Sequence, residues 1–455
     1  MTPTAPTTAR VLVPVGMLGG GFSTQTVTRG IELGADVIAV DGGSTDSGPY
    51  YLGAAQPKTT EAAVARDLDV LLAASQATHI PLIVGSCGTS GTDRGVDWIA
   101  GIVQKLVAGG GLHPRVARLY SEQRPEAVID KLRAGRVTPL EPAGPLGEDT
   151  LLRCTHIVGI MGHEPIAEAI RRGADVIVAG RATDSALIAA VPLLRSCPPG
   201  PTWHAAKTAE CGALCTTEPR TGGVLATIDE SGFTIEPLDP AAACTTRTVA
   251  AHMLYENADP FRMREPSGTL DTSEARYTQL DARRVRVEGS RFEPASPTMK
   301  LEGAAVAGYQ TIAISGVRDP DVLADIGAWR ATLATFLADG IQRVLGYGSG
   351  DYHLELRTYG FDAVLGDLEP DTTPPREVGL VLLVTAGDQE RATAIAKYAN
   401  PYLLHWPTAD MDHLPSFAFL SSPAETERGP IYEFVLQHSV SLDAPGELVR
   451  IEIDP

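Results

Sequence analysis

Two patterns of apolar positions alternate along residues 10–195. Runs of consecutive apolar residues ("VLVPVG", "DVIAVDGG", "PLIVGSCG", "RVARLY", "HIVGIMG" and "DVIVAGRA") are separated by stretches in which apolar residues recur every three or four positions. Unbroken apolar runs of this length suit strands buried on both faces, and the intervening period suits helices that cover them. The pattern predicts an α/β domain over residues 1–200, built on a mostly parallel sheet. Several runs pass into glycine and small polar residues at their C-terminal ends, where open parallel sheets place a ligand crevice.

One corner of this pattern occurs twice, as "IELGADVIAVDGGSTDSG" at 31–48 and "IRRGADVIVAGRATDSAL" at 170–187. Each copy reads as a helix end, a glycine cap at Gly34 or Gly173, a buried strand and a polar loop ending in Thr-Asp-Ser. The Gly-Ala-Asp-Val-Ile part is ordinary helix-to-strand grammar. Thr45-Asp46-Ser47 and Thr183-Asp184-Ser185 go beyond it, because an N-cap needs only one such residue. The two loops are expected to border one crevice.

The pattern then changes. "RSCPPGPTW" at 195–203 reads as a proline-rich break that closes the first domain. Residues 201–307 read as an irregular, polar covering segment with one helical piece, "TVAAHMLYEN". From 308 to 455 the order is strand, a long helix over 320–345, strand, strand, helix and strand, which predicts a ferredoxin-like α+β unit. Two further strands, "IYEFVLQHSVSL" and "LVRIEI", follow it.

With 455 residues and 44% hydrophobic content, the chain can bury the cores of two or three domains. A formal charge of −19 argues against nucleic acid as a partner and against a polybasic membrane anchor. The opening "MTPTAPTTAR" and the glycine-broken apolar stretch after it lack a signal-peptide h-region and transmembrane length, so a cytoplasmic location is expected. Six scattered cysteines without Cys-x-x-Cys point to reduced thiols, mostly filling cores.

Candidate chemistry clusters at the strand ends. "GMLGGGF" at 16–22, between the first strand and a helix, can hold an anion on its backbone amides, but it lacks the dinucleotide spacing and a P-loop lysine and reads more simply as a tight turn. Cys87 in "GSCGTSG" has no visible His-Asn partner for nucleophilic catalysis. Asp41, Asp46, Arg181 and Asp184 sit on the repeated loops; Arg181 can fork onto a substrate carboxylate while an aspartate moves a proton or binds metal, or the group is a structural Arg-Asp pair. His163, at a strand end beside Glu164, is a candidate acid or base. Glu210, Cys211 and Cys215 lie close to Lys207. His252 and Glu256, at i and i+4, suit a metal, an acid-base pair or a surface ion pair, with Asp259 just beyond.

Four motifs in order, "AGRATDSAL", "ECG" followed by Gly222-Gly223, "TVAAHMLYENADP" and "PTMK", are similar to those of the acyclic terpene utilisation family, the AtuA-like proteins. The resemblance covers roughly residues 10–360. It marks Arg181, Asp184, Glu210, Cys211, Tyr255, Glu256, Asp259 and Lys300. Lys207 stands where relatives tend to carry a histidine three residues before the glutamate; if that histidine is the family's general base, either the chemistry here differs or Lys207 takes over the role.

The resemblance implies a catabolic enzyme acting on a carboxylic acid or its CoA thioester, as a hydratase/lyase or isomerase. In that scheme Asp41, Asp46, Arg181, Asp184 and Tyr255 bind the substrate. Glu210 or His163 transfers the proton, Lys300 or Lys207 stabilises enolate charge, and Cys211 completes the catalytic set. No redox cofactor is needed, and CoA would enter as part of the substrate. One alternative is a metal-dependent lyase or hydrolase of a small hydroxy-acid, with a divalent ion among Asp46, Asp184, Glu210, His252 and Glu256. The other is a non-catalytic acyl-CoA-binding subunit. Homo-oligomer formation is expected, without nucleic-acid or membrane partners.

Overall fold

The apolar runs fold as strands in a computed structural model that describes residues 7–220, 222–255, 257–371 and 373–454. The first are β1 (Ala9–Val13), β2 (Val37–Asp41), β3 (Leu82–Gly85), β4 (Val116–Tyr120), β5 (Val137–Pro139), β6 (Cys154–Ile160) and β7 (Val176–Ala179). Strands β1, β2, β3, β7 and β4 lie side by side in that order and are all parallel. Because successive side chains point to opposite faces, each strand feeds two cores. Val37, Ile83 and Ile177 enter one, while Ile38, Leu82 and Val176 enter the other.

The sheet as a whole is mixed, which corrects the expected mostly parallel one. Next come β8 (Val224–Ile228), β9 (Gly232–Pro237), β10 (Arg262–Glu265), β11 (Gly268–Asp271), β12 (Arg276–Gln279), β13 (Val285–Glu288) and β14 (Arg291–Pro294). Strands β8, β9, β13 and β12 extend the parallel core beyond β1, each antiparallel to its neighbour. Strands β10, β11 and β14 form a separate antiparallel sheet. The stretch expected to be irregular is therefore rich in short strands. Its strands are four to six residues long and partly exposed, so charged residues such as Arg286 and Glu288 mask the alternation.

Two further corrections have local causes. The prolines of "RSCPPGPTW" start a helix, Pro199–Ala209, where a missing N–H costs nothing. That helix buries Trp203 and His204 completely, and His204 lies 2.7 Å from Ser290 Oγ and 3.2 Å from Tyr277 Oη. The helix expected over "TVAAHMLYEN" ends early, spanning Thr246–His252, and a reciprocal Thr245–Thr248 capping box starts it.

The remaining strands are β15 (Thr298–Val317), β16 (Tyr352–Tyr359), β17 (Val378–Ala386), β18 (Ala418–Phe419), β19 (Glu425–Ser441) and β20 (Arg450–Ile453). The chain divides into two compact units, Met1–Ala305 with Glu433–Pro455, and Val306–Tyr432. In the first unit, Lys300–Ala305 of β15 pairs with β6, so "HIVGIMG" joins this antiparallel pairing and not the parallel core. There also β20 closes the large sheet against β4. In the second unit the strand order is β16, β17, β15, β19, with helices Ile326–Leu345 and Gln389–His405 packed on one apolar core. The long helix expected from residue 320 breaks at Asp325, whose side chain caps the second piece. Among the described residues no helix is long and apolar enough to cross a membrane.

Candidate functional site

The C-terminal ends of β2, β3 and β7 meet because small residues let their backbones touch. Gly42 donates to the Gly85 carbonyl at 2.8 Å, Ser86 to Gly180 at 3.0 Å and Arg181 to Gly91 at 3.2 Å. The loop after β3 is bent sharply, with φ of 44° at Ser86 and 79° at Thr89, a conformation side chains adopt only under constraint. A Cβ on Gly91 would lie 2.1 Å from the Arg181 amide, at a φ of +68°. Gly91→Ala is therefore expected to cost about 1–3 kcal/mol in urea unfolding. Gly101→Ala, in open space on helix Asp93–Gly110, should be neutral or slightly stabilising. Equal effects at the two positions would contradict the close approach.

Arg181 ties these ends together. Its Nε donates to Glu302 Oε2 at 3.4 Å, Nη1 to Ser86 Oγ at 3.1 Å and Nη2 to Thr45 Oγ1 at 3.2 Å. Thr45 in turn donates to Glu302 Oε2 at 2.8 Å, and Lys300 Nζ is 2.8 Å from Glu302 Oε1. Asp184 is farther, at 4.0 Å from Arg181. The two repeated loops thus meet through the Arg181–Thr45 bond. Burial alone would raise the Glu302 pKa, but Arg181 and Lys300 outweigh it and hold the carboxyl below its ordinary value.

Asp41 is buried in the same group. One of its oxygens accepts from Gly43 N at 2.8 Å, and the other has no hydrogen-bond partner among the described residues. Burial, then the Asp184 charge, pushes its pKa well up against the pull of Arg181. Asp46 is exposed and accepts from Ser44 Oγ at 2.7 Å.

A second set of ionisable groups centres on helix Pro199–Ala209 and the second Thr-Asp-Ser. Lys207 Nζ is 2.6 Å from Glu210 Oε1. Ser185 Oγ donates to Glu265 Oε1 at 2.8 Å and Thr183 Oγ1 to Glu265 Oε2 at 3.3 Å. Thr183 also caps the helix that Asp184 begins, so two hydroxyls and a cap account for the surplus polar residues of that loop. Burial raises Glu210 to about 8, with Asp184 and Glu265 adding to it and Lys207 opposing. Burial likewise raises Glu265 to about 7. Lys207 is lowered by burial, yet Glu210, Glu265 and Asp184 together lift it above its ordinary value. Burial, then the Lys207 charge, pulls His252 down to about 4.

These shifts make stability depend on pH. Glu210 and Glu265 ordinarily titrate near 4.5, so the folded state holds more protons from about pH 4.5 to 8. That contribution is complete below 4.5 and is lost as pH rises through 7 and 8. His204 and His252, lowered to about 3 and 4, act in the opposite sense below pH 6.5, where the unfolded chain takes up protons that the folded one does not. The two effects offset each other at lower pH. A net fall of roughly 2–3 kcal/mol is expected between pH 6.5 and 8.5, at about 1.4 kcal/mol per pKa unit. Urea unfolding at both pH values checks it, and equal stability would contradict the buried carboxyls.

A cleft of about 210 Å³ opens onto this group, lined by Ile160, Thr183, Glu265, Pro266 and Lys300 among others. A larger hollow of about 550 Å³ lies within the second unit beside Asp325 and Trp329, but it holds none of the residues singled out from the sequence.

Other candidates lie elsewhere. His163 precedes helix Glu164–Arg171, 3.4 Å from Glu164 and edge-on to Trp203. Burial lowers its pKa, and the charges acting on it are Glu164 and Arg171, outside the cluster. The exposed ring of Tyr255 stacks on His252. The Cys211 backbone approaches Gly16 so closely that a Cβ there would be 2.9 Å from its carbonyl oxygen. Asp259 accepts from the amides of Phe261 and Arg262. Glu256 lies outside the described residues, and with it the His252–Glu256 pair. Among the described residues no group of three or more His, Cys, Asp or Glu is arranged to hold a metal ion.

Sequence reasoning missed Glu265 and Glu302. Glu302 had a signal: it stands two residues after Lys300 in a strand with no other charged residue, so the two charges share a face. Glu265 had none, because "RMRE" reads like any half-exposed strand.

The fold and the cluster define an α/β protein whose parallel strand ends carry a buried arginine–lysine–carboxyl network. The chain belongs to the acyclic terpene utilisation family, whose model, described as acyclic terpene utilisation family protein AtuA, matches residues 53–195 and 218–433. Arg181, Asp184, Glu265, Lys300 and Glu302 fall within the matched stretches, whereas Lys207 and the Glu-Cys-Gly motif at Glu210 fall between them. No curated protein and no solved structure matches the chain.

Proposed function

We propose that the protein is a catabolic enzyme acting on a carboxylic acid or its CoA thioester, a hydratase/lyase or isomerase that moves a proton or water beside the carbonyl. The observation that carries this reading is the pair of buried carboxyls, Glu210 and Glu265, raised to about 8 and 7 beside Lys207. Two groups poised near neutrality can supply an acid and a base at the same pH. Glu210, holding its proton at pH 7, is the donor. Arg181 has its nitrogens on protein acceptors and serves to position Thr45 and Glu302. Lys300, with 41% of its side chain exposed and on the wall of the cleft, takes the substrate's carboxylate or carbonyl oxygen.

The same reading places the enzyme in the cytoplasm as a homo-oligomer and gives the second unit a ferredoxin-like fold, which the strand order β16, β17, β15, β19 supports. The test is solvent exchange. Straight and branched acyl-CoAs and the matching free acids are incubated with the protein in D₂O, and deuterium beside the carbonyl is read by mass spectrometry. Uptake into at least one compound is expected, and no uptake from any of them ends the reading.

A further inference from the structure

We infer that Glu265 is a catalytic residue, the carboxylate that takes the proton from the carbon beside the substrate's carbonyl. The inference rests on the proton-transfer reading above and adds the group that performs the abstraction. Four observations place it there. Glu265 lines the 210 Å³ cleft, whereas Glu210 does not. The residue is only 6% exposed, so solvent does not compete for its carboxyl. Ser185 and Thr183 each donate to one of its oxygens, which fixes the plane of the carboxyl group and favours its ionised form. Lys300 lines the same cleft and supplies a cation for the oxygen on which charge develops.

The other lining groups fit a short acyl body. Leu140, Ile160 and Pro266 are apolar, Thr298 and Ser439 are neutral, and Arg264 adds a second cation that suits an acidic substrate. A carboxylic acid, or the acyl end of its thioester, would place its carbonyl oxygen toward Lys300 and the adjacent carbon toward Glu265. In the step itself the C–H bond breaks, its electron pair moves into the carbonyl to form the enolate, and the proton passes to Glu265. Reprotonation at another carbon completes an isomerisation. Departure of a β-hydroxyl, protonated as it leaves as water, completes a dehydration. Neither route needs an oxidant or reductant.

The experiment has two readouts. The first is alkylation by 2-bromohexanoate, in which a carboxylate oxygen displaces bromide and leaves an ester that peptide mapping can locate. The ester is expected on Glu265, with labelling reduced at least tenfold in Lys300→Met and absent from that peptide in Glu265→Gln. The second is the deuterium exchange described above, expected to fall at least 100-fold in Glu265→Gln and to recover in part in Glu265→Asp. An ester on a different carboxylate, no ester, or exchange at the wild-type rate in Glu265→Gln would each overturn the assignment. The two failures separate cleanly. Wild-type exchange that survives Glu265→Gln sinks the assignment of Glu265 alone. An ester on Glu265 without exchange from any compound sinks the proton-transfer reading and the catalytic role with it.

Discussion

Arg181→Met is expected to lower the unfolding free energy by about 3–5 kcal/mol, the usual cost of removing one partner from a buried ion pair. The guanidinium is buried and meets Glu302, Ser86 and Thr45 from three different segments. Methionine fills much of the volume but leaves Glu302 with Lys300 as its cation, and leaves Asp41 with no arginine to oppose its burial. A second change, Glu302→Gln, should recover part of the loss in the Arg181→Met background while destabilising the wild type. That non-additivity is the signature of a direct pair. Urea unfolding of the four proteins at pH 7 measures it. A loss under about 1 kcal/mol for the single variant would be the value of an exposed pair and would contradict the buried network.

Glu210→Gln is expected to reduce deuterium exchange by about 100- to 10,000-fold, the range for loss of a general acid or base. The substitution keeps size and hydrogen-bonding capacity but removes the transferable proton. Because the folded carboxyl titrates near 8, Glu210 is mostly neutral at pH 7, and glutamine mimics that state. Stability should change little below about pH 4.5, where the carboxyl is largely neutral in both the folded and the unfolded chain. At pH 7 the variant should already be the more stable of the two, because the unfolded wild-type carboxyl is ionised there and must regain a proton to fold, and the advantage should be larger still at pH 8.5. Exchange unchanged in the variant would remove Glu210 from the reaction. A large stability loss at pH 7 would show instead that the ionised Lys207–Glu210 pair holds the fold.

How much of this could be read beforehand depended on burial. The cores of β2 and β7 are buried on both faces, so their apolar runs stand out, and Gly34 and Gly173 take the positive φ that the repeated corner needs. Strands β8 to β14 are mostly short and half-exposed, and their polar residues blur the same signal. Strand β6 has the composition of a parallel core strand but pairs with β15, and a strand's partner is not a property of its own residues. At the site, Arg181 and Asp184 announced themselves on a repeated loop. Glu265 came from a strand of ordinary composition and owes its environment to Ser185 and Thr183, about eighty positions earlier.

The pairing of β20 with β4 also sets an order of events during synthesis. Arg118 of β4 bonds Asp454, 336 positions later in the chain. At translation rates of roughly 5–20 residues per second, β4 would leave the ribosome on the order of tens of seconds before its neighbour exists. For that interval its outer edge carries unpaired backbone groups, a template for pairing with another nascent chain. Four residues, Arg450–Ile453, act as the seam that closes it. Molecular chaperones would matter most for this chain in the interval before that seam is made.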